Sequence, residues 1–126
     1  MRSALRVAGV CIAIVLSASS AVACPKHALE RVVLYGTGGD SDVLLWDSRF
    51  RLREYHLATF DEAQAMLPRA LLVRGGARAL VLHCLRDYVQ ARYALGLDDA
   101  VDVRIVSGPQ RGTTGWISGA DVRYMR

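Results

Sequence analysis

The 126-residue chain is 52% hydrophobic, 22% charged and 7% aromatic, a length that holds one small domain and leaves no room for a two-domain enzyme. Its hydrophobic share is far above that of disordered chains, and part of it is concentrated at the start. The net charge of +4 falls to +2 once residues 1–23, which carry Arg2 and Arg6 and no acidic group, are set aside; with one lysine, Lys26, and no Lys/Arg run to track phosphates, nucleic acid is not a predicted partner.

Residues 1–23 have the anatomy of an export signal. Arg2 and Arg6 form a basic start, residues 7–16 an apolar run, and residues 17–23 a small-residue segment ending in Ala21-Val22-Ala23. Serines interrupt the apolar run well short of the ~20 residues that a membrane span needs. The predicted organisation is therefore a signal peptide helix over 1–23 and a single domain over 24–126. Export sets the redox compartment, and Cys11 leaves with the signal, so Cys24 and Cys84 are the two cysteines of the mature chain.

Two fates are open to Cys24. In an oxidising compartment it pairs with Cys84, closing a long loop and stabilising the fold by about 2–4 kcal/mol. Alternatively, Ala21-Val22-Ala23-Cys24 resembles a bacterial lipobox, in which the cysteine is lipidated and becomes the anchored N-terminus. The first places the protein in the periplasm or outside the cell, the second on a membrane through a lipid.

Along the mature chain the hydrophobic period is two and the punctuation is glycine-rich. Residues 30–35 (ERVVLY) predict a strand closed by a hairpin turn at 36–39, and residues 42–46 (DVLLW) a second closed by Asp47-Ser48. Residues 49–59 alternate less cleanly, with Phe50, Leu52 and His56 able to share one face of an extended segment. Thr59 followed by Glu62 predicts a capping box, and Ala63 to Leu67 continue as one short helix until Pro68 stops it. Further strands are predicted at 70–73, 79–84, 88–95, 101–106, 113–118 and 121–124, with turns at Gly75-Gly76 and 108–112. Many short strands at close spacing predict a mainly β domain, a small barrel or sandwich.

Two stretches carry a resemblance. Val103-Arg104-Ile105-Val106-Ser107-Gly108 followed by Gly112-Thr113-Thr114-Gly115-Trp116-Ile117 matches a G-x-x-G-W-[IV] signature, and Asp87-Tyr88-Val89-Gln90-Ala91-Arg92 matches a D-W-W-x-A-R-like run. In this order and spacing, residues 75–122 resemble a bacterial SH3-like domain. The resemblance implies a small SH3-like barrel, with Trp116 packed over it after a tight turn, Tyr88 on the ligand face and Val89 in the core. It also implies that Tyr88 and Trp116 are the ligand-binding residues, and that the partner is a cell-wall polymer or an envelope protein. Where eukaryotic members carry the Pro and Tyr of a proline-peptide groove, this chain has Ser118 and Asp121, which argues against polyproline recognition.

Reactive chemistry finds little support. His83 and Cys84 are sequence neighbours, so on a strand they point to opposite faces and cannot act as base and nucleophile. Cys24, His27, His56, His83 and Cys84 show no C-x-x-C or H-x-x-x-H spacing, so no metal is predicted. Gly36-Thr37-Gly38-Gly39 is followed by Asp40 and Asp42 and then by a strand, which is the wrong charge and the wrong element for a phosphate loop. Asp98, Asp99 and Asp102 read as a solvated loop face. The expectation is an exported, non-catalytic, cofactor-free binding module of the bacterial cell envelope. The alternative is a small secreted or periplasmic inhibitor or accessory protein acting through a protein partner. That protein would use the helix at 60–67 or Arg49, Arg51 and Arg53, which share a face if the segment is extended.

Overall fold

The computed structural model describes residues 24, 29–36, 42–91 and 95–125. The predicted signal peptide, Lys26, His27, Tyr93 and most of the turn at 36–39 lie outside them. The described elements run β1 (Arg31–Leu34), β2 (Asp42–Leu45), α1 (Arg49–Leu57), α2 (Phe60–Met66), β3 (Leu71–Arg74), β4 (Ala77–Gln90), β5 (Leu97–Ile105), β6 (Thr114–Ser118) and β7 (Val122–Tyr124). The domain is mainly β, as the period-two pattern predicts.

The strands form a five-stranded sheet in the order β6-β5-β4-β1-β7 and a two-stranded sheet of β2 and β3. All the pairings are antiparallel. The two sheets share one aliphatic core and, among the described residues, are joined by one backbone bridge, where Trp46 and Trp116 exchange hydrogen bonds of 2.9 and 2.7 Å. They do not close into a barrel, which corrects the small SH3-like barrel that the resemblance implied.

Alternation of apolar residues turns one face of each strand inward. Val32, Leu34, Val43, Leu45, Val73, Ala79, Val81, Val101, Val103, Ile105, Ile117 and Val122 pack into one aliphatic cluster. Strand β4 bends twice, with register shifts between Val81 and His83 and between Leu85 and Val89. Extra residues in one strand of a ladder re-aim the side chains that follow them. After the first shift Cys84 faces the aliphatic cluster and His83 faces out, its side chain 72% exposed. The second shift holds Asp87 at φ 49°, a left-handed backbone fixed by its N–H donating to Asp99 Oδ1 at 3.0 Å. Because β4 continues through these shifts, the two strands predicted at 79–84 and 88–95 are one element to Gln90. Strand β5 begins at Leu97, so Asp98 and Asp99 are strand residues and not the predicted loop.

Two helices form where one was predicted. Helix α2 follows the sequence signal closely: Thr59 Oγ1 accepts from Glu62 N–H, and Glu62 Oε1 accepts from Thr59 N–H. Helix α1 occupies the segment that was read as extended. Ser48 caps it by accepting from Arg51 N–H at 3.1 Å, Asp47 pairs with Arg51 one turn on, and Leu52 and Tyr55 bury a three-residue repeat. Phe50, Leu52 and His56 thus share no strand face, and Arg49, Arg51 and Arg53 form no stripe. Arg51 turns to Asp47, while Arg49 and Arg53 lie one turn apart on the helix.

Candidate functional site

A second cluster sits where the helices meet the end of β4. Trp46, Leu52, Tyr55, Met66, Val89 and Ala100 are buried in it, and Tyr88 and Trp116 pack half-buried against it. The Trp46 and Tyr55 rings lie 4.8 Å apart at 37°, so β2 and α1 are joined by an aromatic contact. Val89 is completely buried, as the predicted core position beside Tyr88 requires.

The fold therefore brings Tyr88 and Trp116 to the margin of one cluster, although 28 residues separate them in the chain. Tyr88 is carried there by the second shift in β4. Trp116 arrives through β6, whose close approach depends on Gly115: a Cβ there would lie 2.8 Å from Leu45 Cβ. The outer face of Tyr88 is not bare. The guanidinium of Arg53 stands 5.2 Å from its ring centroid, a cation–π contact that leaves a planar cation beside a half-open phenol ring. Arg53 was singled out in the sequence only as part of an arginine stripe. Its role beside Tyr88 depends on α1 being helical, which the alternation did not reveal.

Such a patch can stack on a flat apolar face through the rings and pair with a carboxylate through the guanidinium. Among the described residues, the two histidines are engaged elsewhere. His56 Nδ1 lies 2.9 Å from Gln90 O, and His83 Nδ1 lies 3.1 Å from Asp102 Oδ2. Each ring is tied to a separate partner. The predicted carboxylate group is dispersed as well: Asp99 accepts from Asp87 N–H, Asp102 meets His83, and Asp98 accepts from the Ser118 hydroxyl at 3.5 Å. Ser118 is buried and also caps a 3-10 turn by accepting from Ala120 N–H at 3.3 Å, so it belongs to the packing between β6 and β7.

Cys24 and Cys84 form a disulfide across a sequence separation of 60, with Cα atoms 5.7 Å apart. The bond uses the Cys24 sulfur that a lipid thioether would need, and in this structure it holds Cys24 to the middle of β4. The Asp99 carboxylate lies within 4.8 Å of both sulfurs. With the sulfurs bonded to each other the trio lacks the thiolates a soft metal requires. Burial, followed by the nearby Glu30 and Asp99 carboxylates, holds the Tyr124 phenol above its usual range.

A shallow groove of about 590 Å³ separates α1 from α2, lined by Phe50, Arg53, Glu54, Leu57, Ala58, Glu62, Ala65 and Met66. Sequence reasoning placed a protein-contact surface on the helix at 60–67 or on Arg49, Arg51 and Arg53, but missed that those arginines lie on a helix, α1, which supplies half of this lining. Among the described residues no helix is long and apolar enough to cross a membrane. Comparison with protein-family models, with curated proteins and with solved structures finds no match for this chain.

Proposed function

We propose that this protein is an exported, non-catalytic binding module of the bacterial cell envelope, SH3-like over residues 75–122, that contacts a cell-wall polymer through the margin of its aromatic cluster. The observation that carries this reading is the meeting of Tyr88 and Trp116 on one cluster with Arg53 stacked over Tyr88. A wall polymer offers sugar faces and carboxylates. The ring of Tyr88 fits the first and the guanidinium of Arg53 the second, each through a contact that keeps its strength at a partly desolvated surface. The disulfide is consistent with an oxidising compartment, and the leader-like residues 1–23 with the route to it.

The test is sedimentation of the purified protein with insoluble cell-wall sacculi. Wild type is expected to co-sediment, and Tyr88→Ala and Arg53→Ala to remain largely in solution while keeping the wild-type near-ultraviolet signal of Trp46 and Trp116. Equal retention of wild type and both variants would remove this face as the binding site.

A further inference from the structure

Among the described residues, the outward face of α1 meets only α2, along the open groove between the two helices. Leu52 and Tyr55 point inward, and the helical turn of about 100° per residue puts Phe50 and Leu57 in the middle of the opposite face. They are seven residues apart and remain 64% and 63% exposed. Arg49 flanks this ridge on one side, its guanidinium 4.8 Å from the Phe50 ring centroid. Glu54 flanks the other side, and Phe50, Arg53 and Leu57 themselves line the groove that α2 closes with Glu62, Ala65 and Met66. Arg53, also on the arginine side, is directed to Tyr88.

We propose that this ridge is the contact of a two-fold dimer. Helix α1 packs parallel to α1 of a second copy, Phe50 and Leu57 meet their own counterparts, and Arg49 of each copy pairs with Glu54 of the other. An isologous interface uses one patch twice, so the patch must complement itself. Two face-to-face arrangements satisfy a two-fold axis. With the axis perpendicular to the helices they run antiparallel and the arginine sides meet each other. With the axis along the helices they run parallel, and the arginine side of one copy meets the glutamate side of the other. Only the second brings opposite charges together.

The spacing agrees. If Phe50 and Leu57 are successive a positions of a heptad, Arg49 is g, Glu54 is e, and the intervening d position is Arg53, whose guanidinium is turned out of the seam onto Tyr88. Parallel coiled coils pair g with the e position five residues further along the partner, and five is the separation of 49 and 54. An anionic membrane is a poorer occupant, because Glu54 and Glu62 stand beside the apolar residues. A glycan strand lacks the aliphatic side chains that would fill the space between Phe50 and Leu57. One heptad of contact is short, so the dimer is weak and reversible.

Sedimentation equilibrium of the purified, disulfide-bonded protein reads this directly. Wild type is expected to dimerise with rising concentration, and Arg49→Glu and Glu54→Arg each to weaken association by about tenfold, since each turns two attractive pairs into repulsive ones. Both positions are exposed, and near-ultraviolet circular dichroism reports whether the variants keep the fold. Mixing the two variants restores a heterodimer of wild-type strength, because both of its pairs are again opposite in charge; the double variant on one chain does the same. Phe60→Ser, at the most exposed phenylalanine and outside the ridge, leaves association unchanged. The proposal is overturned if wild type stays monomeric at about 1 mM, if the mixture associates no better than the single variants, or if Phe60→Ser weakens the dimer as much as Leu57→Ser does.

Discussion

The two hydrophobic clusters are built from different material and for different ends. The first is aliphatic, rich in Val, Ile and Leu, drawn from all seven described strands by buried residues and closed over by β-ladders. The second combines Trp46 and Tyr55 with Leu52, Met66, Val89 and Ala100, and its margin is left to half-buried Tyr88 and Trp116. Branched side chains on a pleated sheet pack closely against one another and leave little for a ligand to touch. Aromatic rings at the seam between helices and sheet present large faces that are only partly used. On the proposed function, stability resides chiefly in the first cluster and recognition at the edge of the second.

The largest expected effect on this division comes from the disulfide, which ties Cys24 to β4 beside the aliphatic cluster. Cys84→Ser is expected to lower stability by about 4 kcal/mol, the loop-closure value for a separation of 60 residues. Urea denaturation checks it, and wild type treated with reductant should fall to the same level.

Next are truncations within each cluster. Ile105→Ala and Leu52→Ala are each expected to cost about 3 kcal/mol, but in different places. Hydrogen exchange should show the first loosening every strand and the second loosening mainly α1 and α2, with the amides shared by β4 and β5 still protected. If Leu52→Ala opens those amides as far as the helical ones, the clusters are one cooperative unit and the division fails.

Gly115→Ala sharpens the boundary between the two regions. The added Cβ collides with Leu45 at the seat of β6 against the small sheet, and overpacking of this kind costs about 2 kcal/mol. A shift in thermal midpoint together with a changed Trp116 fluorescence spectrum is the expected readout.

The smallest effect is at the start of α2, where Thr59→Ala removes a cap worth about 1 kcal/mol. The same hydroxyl and the Thr59 N–H hold the Glu62 carboxyl below its ordinary value. A depressed carboxylate pKa stabilises the fold above the unfolded pKa, and that contribution is lost as pH falls through the folded one. Thr59→Ala should therefore raise the Glu62 midpoint followed by NMR and flatten this acid-side dependence.

The contrast between the clusters is also the contrast in what could be read from the residues. Alternation in ERVVLY, DVLLW and VDVRIV exposes the aliphatic face directly, because burial on one side of a strand writes a period of two into the chain. The capping box of α2 is equally local, and the Cys24–Cys84 pairing is one of the two fates that the sequence left open for Cys24. Helix α1 escaped because Phe50 is apolar yet exposed and Asp47-Ser48 has the composition of a turn, so its i, i+3 pair, Leu52 and Tyr55, was masked. Signals for the second cluster are non-local: the shifts in β4 depend on its register with β5 and the Trp46–Trp116 bridge on partners 70 residues apart, and no spacing rule encodes them. Tyr88 and Trp116 were found through a motif resemblance, whereas Arg53 needed α1 in place.

The most direct measurement is an NMR titration of the isotope-labelled protein with soluble, carboxylate-bearing fragments of cell wall. Resonances of Tyr88, Arg53 and Trp116 are expected to move together and to saturate at one affinity, while those of Val32, Val103 and Ile105 stay in place. Shifts confined to the aliphatic sheet, or a spectrum that does not change at saturating fragment, would contradict the assignment of recognition to the aromatic margin.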